Sequence, residues 1–140
     1  CGNRVPYTPG NWFNSAKFFS IEYQTYGEVP PDLPESFDSV YREHADGTKA
    51  MRVVFEKESF EVKGFNLMGV RFRHEVCDQW LDQRKTVGYV LQHLQQASFD
   101  PEFFRTCERE MCALFNRRYP EKAVQPARKK RFLERLGFGK

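Results

Sequence analysis

The side chains of this chain that could do chemistry are few and scattered. Three histidines stand at positions 44, 74 and 93. His74 precedes Glu75, and such a pair could move a proton near neutrality, where imidazole titrates. No serine or cysteine partner accompanies it, however, and a lone helical histidine usually sits on the surface or caps a helix. His93 falls on the polar side of the next helical stretch and is weaker still. Glu75, Asp78 and Asp82 share one helix and could suggest paired carboxylates. Interleaved with Arg73 and Arg84, they are better explained as solvated charge pairs, each worth about a few tenths of a kcal/mol. Cys1, Cys77, Cys107 and Cys112 show neither metal nor redox spacing, and Cys107 and Cys112 diverge on a helix. They read as free thiols of a reducing, cytoplasmic chain. No catalytic residue and no metal site are assigned.

The richest surface chemistry is aromatic. Trp12, Phe13, Phe18, Phe19, Tyr23 and Tyr26 crowd the segment from Trp12 to Tyr26. They exceed what one strand needs to cover a core, although ordinary core and edge packing would use many of them. Aromatic side chains also anchor protein interfaces, so Trp12, Phe18, Phe19, Tyr23 and Tyr26 are the interface candidates. A second feature is electrostatic. Residues 117–140 hold nine Lys or Arg against two Glu, so the remainder is net acidic although the whole chain is +3. A basic tail can draw phosphate or nucleic acid. Few aromatics interleave with it and no nucleic-acid module is recognisable, so a solvated terminal segment is the simpler reading.

The elements that must position these groups are legible from periodicity. Lys49–Phe55 and Phe60–Leu67 are β-branched and aromatic, and the polar Glu56–Ser59 connects them as an antiparallel hairpin. Asp46-Gly47 is a tight-turn signal, and Phe37–Glu43 alternates as a third strand ahead of it. These three make a meander, which a strand around Ile21 extends. That strand alternates from Phe19 to Thr25 and ends at Gly27, while the residues just before it leave room for a helical turn. Pro30, Pro31 and Pro34 mark a loop. Gly69 punctuates the change to helical period. A first helix is expected over about Arg71–Arg84, with Phe72, Val76, Cys77, Trp80 and Leu81 on its apolar stripe. Thr86 caps a second, Val87–Gln95, in which Gly88 is a mild liability. Asp100-Pro101 opens a third, with Phe104, Cys107, Met111, Leu114 and Phe115 inward, and Tyr119-Pro120 stops it. Ala127–Leu136 is expected to form a short basic helix.

The expected fold is therefore α+β: an antiparallel meander sheet of four to five strands, packed with two to three helices on one side, and a helical C-terminal extension. Residues 1–120 are expected to be the α+β domain and residues 121–140 the basic tail. A chain of 140 residues with 14 Phe has ample material for a core. No apolar run approaches the roughly 20 residues of a membrane helix, so no membrane partner is expected. The chain begins at Cys1 rather than Met. With no Ser/Gly-rich spacer following, that favours a piece of a longer polypeptide over a processed lipoprotein.

The run Ala50–Gly69, with Gly64 and Gly69 flanking apolar residues after a charged turn, resembles the central hairpin of the C-terminal dimerisation domain of pyridine nucleotide-disulfide oxidoreductases. The order that follows is also similar: an amphipathic helix over Val70–Arg84, a break at Lys85, Thr86, and a helix over Val87–Gln95. Gly27 closes an opening strand like that family's, and the likeness covers roughly Asn11–Glu102. It implies an interface domain whose parent binds FAD and NAD(P) through upstream nucleotide-binding domains, forms a homodimer and works in the cytoplasm. It also implies that this chain carries neither cofactor by itself, since Gly137-Phe-Gly139 does not replace a dinucleotide fingerprint. Disulfide reductases of that family place a His-Pro pair after the second helix, where this chain has Gln96–Phe103 and no histidine. The resemblance therefore implies flavin-mediated electron transfer other than thiol–disulfide exchange. The alternative reading is a stand-alone protein- or nucleic-acid-binding module that uses the basic tail, and an independent small enzyme is a third.

Overall fold

The computed structural model describes residue 6, residues 8–99 and residues 101–127. Its five strands are β1 (Phe13–Phe18), β2 (Ile21–Gly27), β3 (Phe37–Glu43), β4 (Ala50–Glu56) and β5 (Val62–Met68). They form one antiparallel sheet in the order β1-β2-β5-β4-β3. β3, β4 and β5 are the expected meander, and β2 extends it beyond β5. Residues 28–36 must therefore cross the sheet to reach β3, which is a Greek-key connection. The helices are α1 (His74–Asp82), α2 (Val87–Gln92), α3 (Leu94–Ala97) and α4 (Pro101–Arg118), with a 3₁₀ turn at Pro120–Lys122. The α+β architecture expected from the sequence is the one observed.

Period-2 alternation decides which face of the sheet is covered. The registers Val40↔Val53↔Phe65↔Tyr26 and Met51↔Leu67↔Gln24 place these residues on one face. Val40, Met51, Val53, Phe55, Phe65, Leu67 and Tyr26 join the buried cluster with Cys77, Trp80, Val90, Leu91, Leu94, Met111 and Phe115 of the helices. The described helices thus serve one face. Between Val54 and Phe55 the register shifts, so that Val54 pairs Gly64 and Phe55 pairs Val62. Lys63 is the extra residue, and this bulge returns Val62 to the core.

Local chemistry sets most boundaries. Thr86 caps α2 as expected, its Oγ1 accepting the Tyr89 N–H at 3.3 Å. The α4 stripe Cys107, Met111 and Phe115 is buried at i, i+4 and i+8, and Tyr119-Pro120 ends the helix.

Four expectations need correction. The residues before Ile21 form a strand, β1, with no helical turn. The hairpin's second strand starts at Val62, because Phe60 adopts φ 61° and stacks on Phe55 while Glu61 bridges Thr86. The first helix is shorter than Arg71–Arg84. Phe72 is held extended by a bridge to Ser98 and by donating its N–H to Gln24 Oε1, and Arg84 at φ 50° ends the helical run. The helix expected over Val87–Gln95 breaks at His93, whose Nδ1 lies 2.7 Å from the Tyr89 carbonyl. The Asp100 cap and, past Ala127, the basic helix expected over Ala127–Leu136 lie outside the described residues, and Phe104 is described only as a backbone position of α4.

Candidate functional site

The aromatic segment folds as the β1–β2 hairpin at one edge of the sheet, and alternation divides its rings between two faces. Phe13, opposite Tyr26, points to the helix side. It stacks on the Tyr26 ring at 4.8 Å and meets His74 at 4.5 Å. Tyr26 itself is 1% exposed and packs edge-on against Phe65. Burial first, then nearby Cys77, Glu22 and Glu75, push its phenol far above the ordinary range. Tyr26 is thus core, and it leaves the set of surface anchors.

Phe18 and Tyr23 occupy the opposite face, and Trp12, whose carbonyl accepts the Gly27 N–H at 2.7 Å, continues the same alternation. Trp12 is 59% exposed, Phe18 64% and Phe19 101%; Tyr23 is half-buried. Phe19 sits at the hairpin tip with φ 54°. Only the first central residue of this two-residue loop has positive φ, the pattern of a type II′ turn, whose first position favours glycine. A non-glycine residue there costs roughly 1–3 kcal/mol.

Among the described residues, no helix covers the face that Phe18 and Tyr23 share. Part of it is roofed by the proline-rich crossing loop. Glu28 donates its N–H to the Lys63 carbonyl at 2.8 Å, and Val29 lies over Gly64. That roof keeps Val54 fully buried. The remainder lies in rows fixed by register: Ala16, Tyr23, Met68, Ala50 and Glu43 in one, Asn14, Thr25, Asn66, Arg52 and Tyr41 in the next; of these only Thr25 is buried. Asn66 donates to the Tyr23 hydroxyl at 2.8 Å, and the Arg52 guanidinium lies 5.6 Å from the Tyr41 ring. These contacts stiffen the platform and leave its rings presented outward.

The two sheet edges differ. On β3, the Ser39 N–H donates to Asp38 Oδ1 at 2.7 Å and its carbonyl accepts from Arg118 Nη1 at 3.0 Å. Asp38 also accepts the Tyr119 hydroxyl at 2.7 Å. Burial would raise the Asp38 carboxyl, but Tyr119, the Ser39 amide and Arg118 outweigh it and hold the group below its ordinary value. On β1, among the described residues, nothing caps the outer edge.

The histidines are not brought together. His44 pairs with Asp46 at 2.9 Å, His74 packs on Phe13 and Tyr26, and His93 stacks on Tyr89 at 4.1 Å. The carboxylates Asp78 and Asp82 are not the charge pairs expected with Arg73 and Arg84. Both accept from Asn11 Nδ2 at 2.9 Å, which clamps the start of the hairpin to α1. Asn11 gave no signal in sequence, because its partners lie about seventy residues away. Cys77, Cys107 and Cys112 are free and buried. An open groove of about 620 Å³ along α4 is lined by Gln95, Glu108, Cys112, Asn116 and Val124. Its polar groups bind one another: Gln95 Nε2 meets Glu108 Oε2 at 2.6 Å, and Asn116 clasps the Val124 backbone twice at 2.8 Å. Among the described residues no cluster of His, Cys, Asp and Glu could hold a metal, and no helix is long and apolar enough to cross a membrane.

No family model and no curated protein matches this sequence. Among solved structures it is similar in fold to an NAD-dependent persulfide reductase from A. fulgidus, with a TM-score of 0.55 and 14% identity. The match takes in 85% of this chain and 25% of that one, so the chain spans about a quarter of that protein's length. At this identity the likeness establishes the fold, and the fold recurs as part of a nicotinamide-dependent reductase.

Proposed function

We propose that this chain is an interface domain of an FAD- and NAD(P)-dependent oxidoreductase, supporting subunit assembly and closure of the flavin site. The observation that carries this reading is the open sheet face and edge that display Trp12, Phe18 and Phe19 at more than half exposure. Isolated exposed rings are common, but several rings on one rigid platform mark a contact surface. The fold likeness to one quarter of an NAD-dependent reductase supplies the oxidoreductase context. Its partners on this reading are the rest of the parent flavoprotein and a second subunit, in the cytoplasm. Three buried, unpaired thiols suit such a reducing compartment.

Sedimentation equilibrium of the chain tests the reading. A dimer is expected at concentrations of about 10 μM, where a standard interface of about 800 Å² per partner is normally populated. Removing residues 121–140 should leave that dimer intact. A monomer throughout, or flavin held tightly by these 140 residues alone, would overturn it.

A further inference from the structure

We infer that the outer edge of β1 is a self-pairing surface, where a second copy of this chain adds its own β1 antiparallel across a two-fold axis at Ser15. The inference rests on the interface reading above and specifies the surface. It begins from the direction of backbone groups. Phe18 and Ile21 flank a two-residue loop, so they exchange both backbone hydrogen bonds, and such pairs alternate along an antiparallel ladder. The even residues of β1 therefore bond β2, consistent with the Trp12 carbonyl accepting the Gly27 N–H. Phe13, Ser15 and Lys17 turn their N–H and C=O groups outward. Among the described residues no backbone bond uses them.

An edge of this kind invites pairing unless something blocks it. The opposite edge is blocked at Ser39, where the Asp38 and Arg118 side chains occupy both backbone groups. β1 has a regular register without a bulge, no proline, and Lys17 as its sole charge.

The sequence of this edge is also self-complementary. Two copies related about Ser15 bring Ser15 opposite Ser15, and Phe13 opposite Lys17 twice over. All the outward residues are then hydrogen-bonded. On the open face the same register sets Trp12 opposite Phe18 at both ends, in the closely spaced non-bonded positions where cross-strand aromatic pairs contribute most. Asn14 falls opposite Ala16. A shift by two residues in either direction leaves one outward residue unpaired and separates Trp12 from Phe18. The open faces of the two sheets become continuous, and their exposed rings line the seam.

Cysteine scanning tests this in the 140-residue chain carrying Cys1→Ser. In the proposed register only position 15 meets itself, at a Cα separation of about 5.5 Å, inside the roughly 4.4–6.8 Å range of a disulfide. Ser15→Cys should give a disulfide-linked dimer on mild oxidation. Asn14→Cys and Ala16→Cys should not, since each sits diagonally from its own copy, at about 7–8 Å. Ser15→Pro removes an outward N–H that β2 does not need, and proline is tolerated at such edge positions. It should weaken the dimer at least about tenfold by sedimentation, roughly 1.4 kcal/mol. A dimer that Ser15→Pro leaves unaffected and that Ser15→Cys fails to cross-link would overturn the edge and leave the interface reading standing. A monomeric parent chain would overturn both. Should Ser15→Pro fail to fold, the cysteine series decides alone.

Discussion

Gly64→Ala is the most diagnostic substitution in the sheet. Ala in place of Gly at a permissive site stabilises by up to about 1 kcal/mol, because it narrows the unfolded ensemble. At Gly64 the opposite sign is expected. A Cβ there would lie 2.6 Å from the carbonyl oxygens of both Tyr26 and Glu28 and 2.7 Å from Val29 Cγ2. The valine could yield, but the two carbonyls belong to the backbone where β2 leaves the sheet for the crossing loop. Relief requires β2 and β5 to separate by several tenths of an ångström, at the point where Gly27 pairs Gly64. Overpacking of this kind costs about 1–3 kcal/mol. Thermal unfolding followed by circular dichroism should show a loss of about 2 kcal/mol, or about 6–8 °C for a chain of this size. Gly10→Ala is the control, since nothing lies within 4 Å of its Cβ position, and it should melt at the parent temperature or about 1–3 °C above it. A Gly64→Ala chain that melts at or above the parent temperature would refute the close crossing, and with it the roof over the sheet's second face.

Trp80 is 2% exposed against Phe65, so Trp80→Ala should lower unfolding stability by about 3–5 kcal/mol in urea titration; a loss below about 1 kcal/mol would contradict its role as core anchor. Asp38, held below its ordinary carboxyl pKa, contributes stability that is fully present above about pH 4 and drains as the pH falls through its lowered folded value. Urea midpoints against pH should therefore show a flatter acid limb for Asp38→Asn, and parallel limbs would refute the contribution. Burial pushes the Cys112 thiol up to about 11, and raises Cys77 and Cys107 as well. These three should resist an exposed-thiol reagent at pH 8 and react in denaturant, with labelled positions read by mass spectrometry; rapid native labelling of any of them would show that the helical layer opens.

What the sequence made legible was local. The β4–β5 hairpin, the Thr86 cap and the α4 stripe announce themselves through period, capping chemistry and turn residues a few positions apart. β1 did not, for two physical reasons. An edge strand with rings on both faces has no hydrophobic alternation to detect, and its turn uses Phe19-Ser20 where Asn or Gly would have signalled a hairpin. The break at His93 was equally silent. Val90, Leu91 and Leu94 keep helical spacing through it, while the histidine ring turns back to the Tyr89 carbonyl. Strand order depends on Gly27 meeting Gly64, a long-range pairing visible only once the register is known. For the site, Trp12, Phe18, Phe19 and Tyr23 could be picked out by composition. Separating them from the core residue Tyr26 required the face assignments that only pairing supplies.

The asymmetry of the sheet is the strongest argument that its exposed rings have a use. A sequence shaped by stability alone would treat both edges alike, since each threatens aggregation to the same degree. Here one edge is closed at Ser39 by the Asp38 carboxylate and the Arg118 guanidinium, with the Tyr119 phenol holding Asp38, groups about eighty residues apart in the chain. The other keeps a regular register and bears exposed aromatic rings, and its tip holds Phe19 in a conformation that glycine would adopt without strain. Strain of this kind persists only where the surrounding structure enforces it, and it clusters at functional sites. Solvent does not reward an exposed phenylalanine, because apolar surface gains only when it leaves water. The interface proposed above would supply that gain at the β1 edge, because that is where the rings and the unused backbone groups coincide.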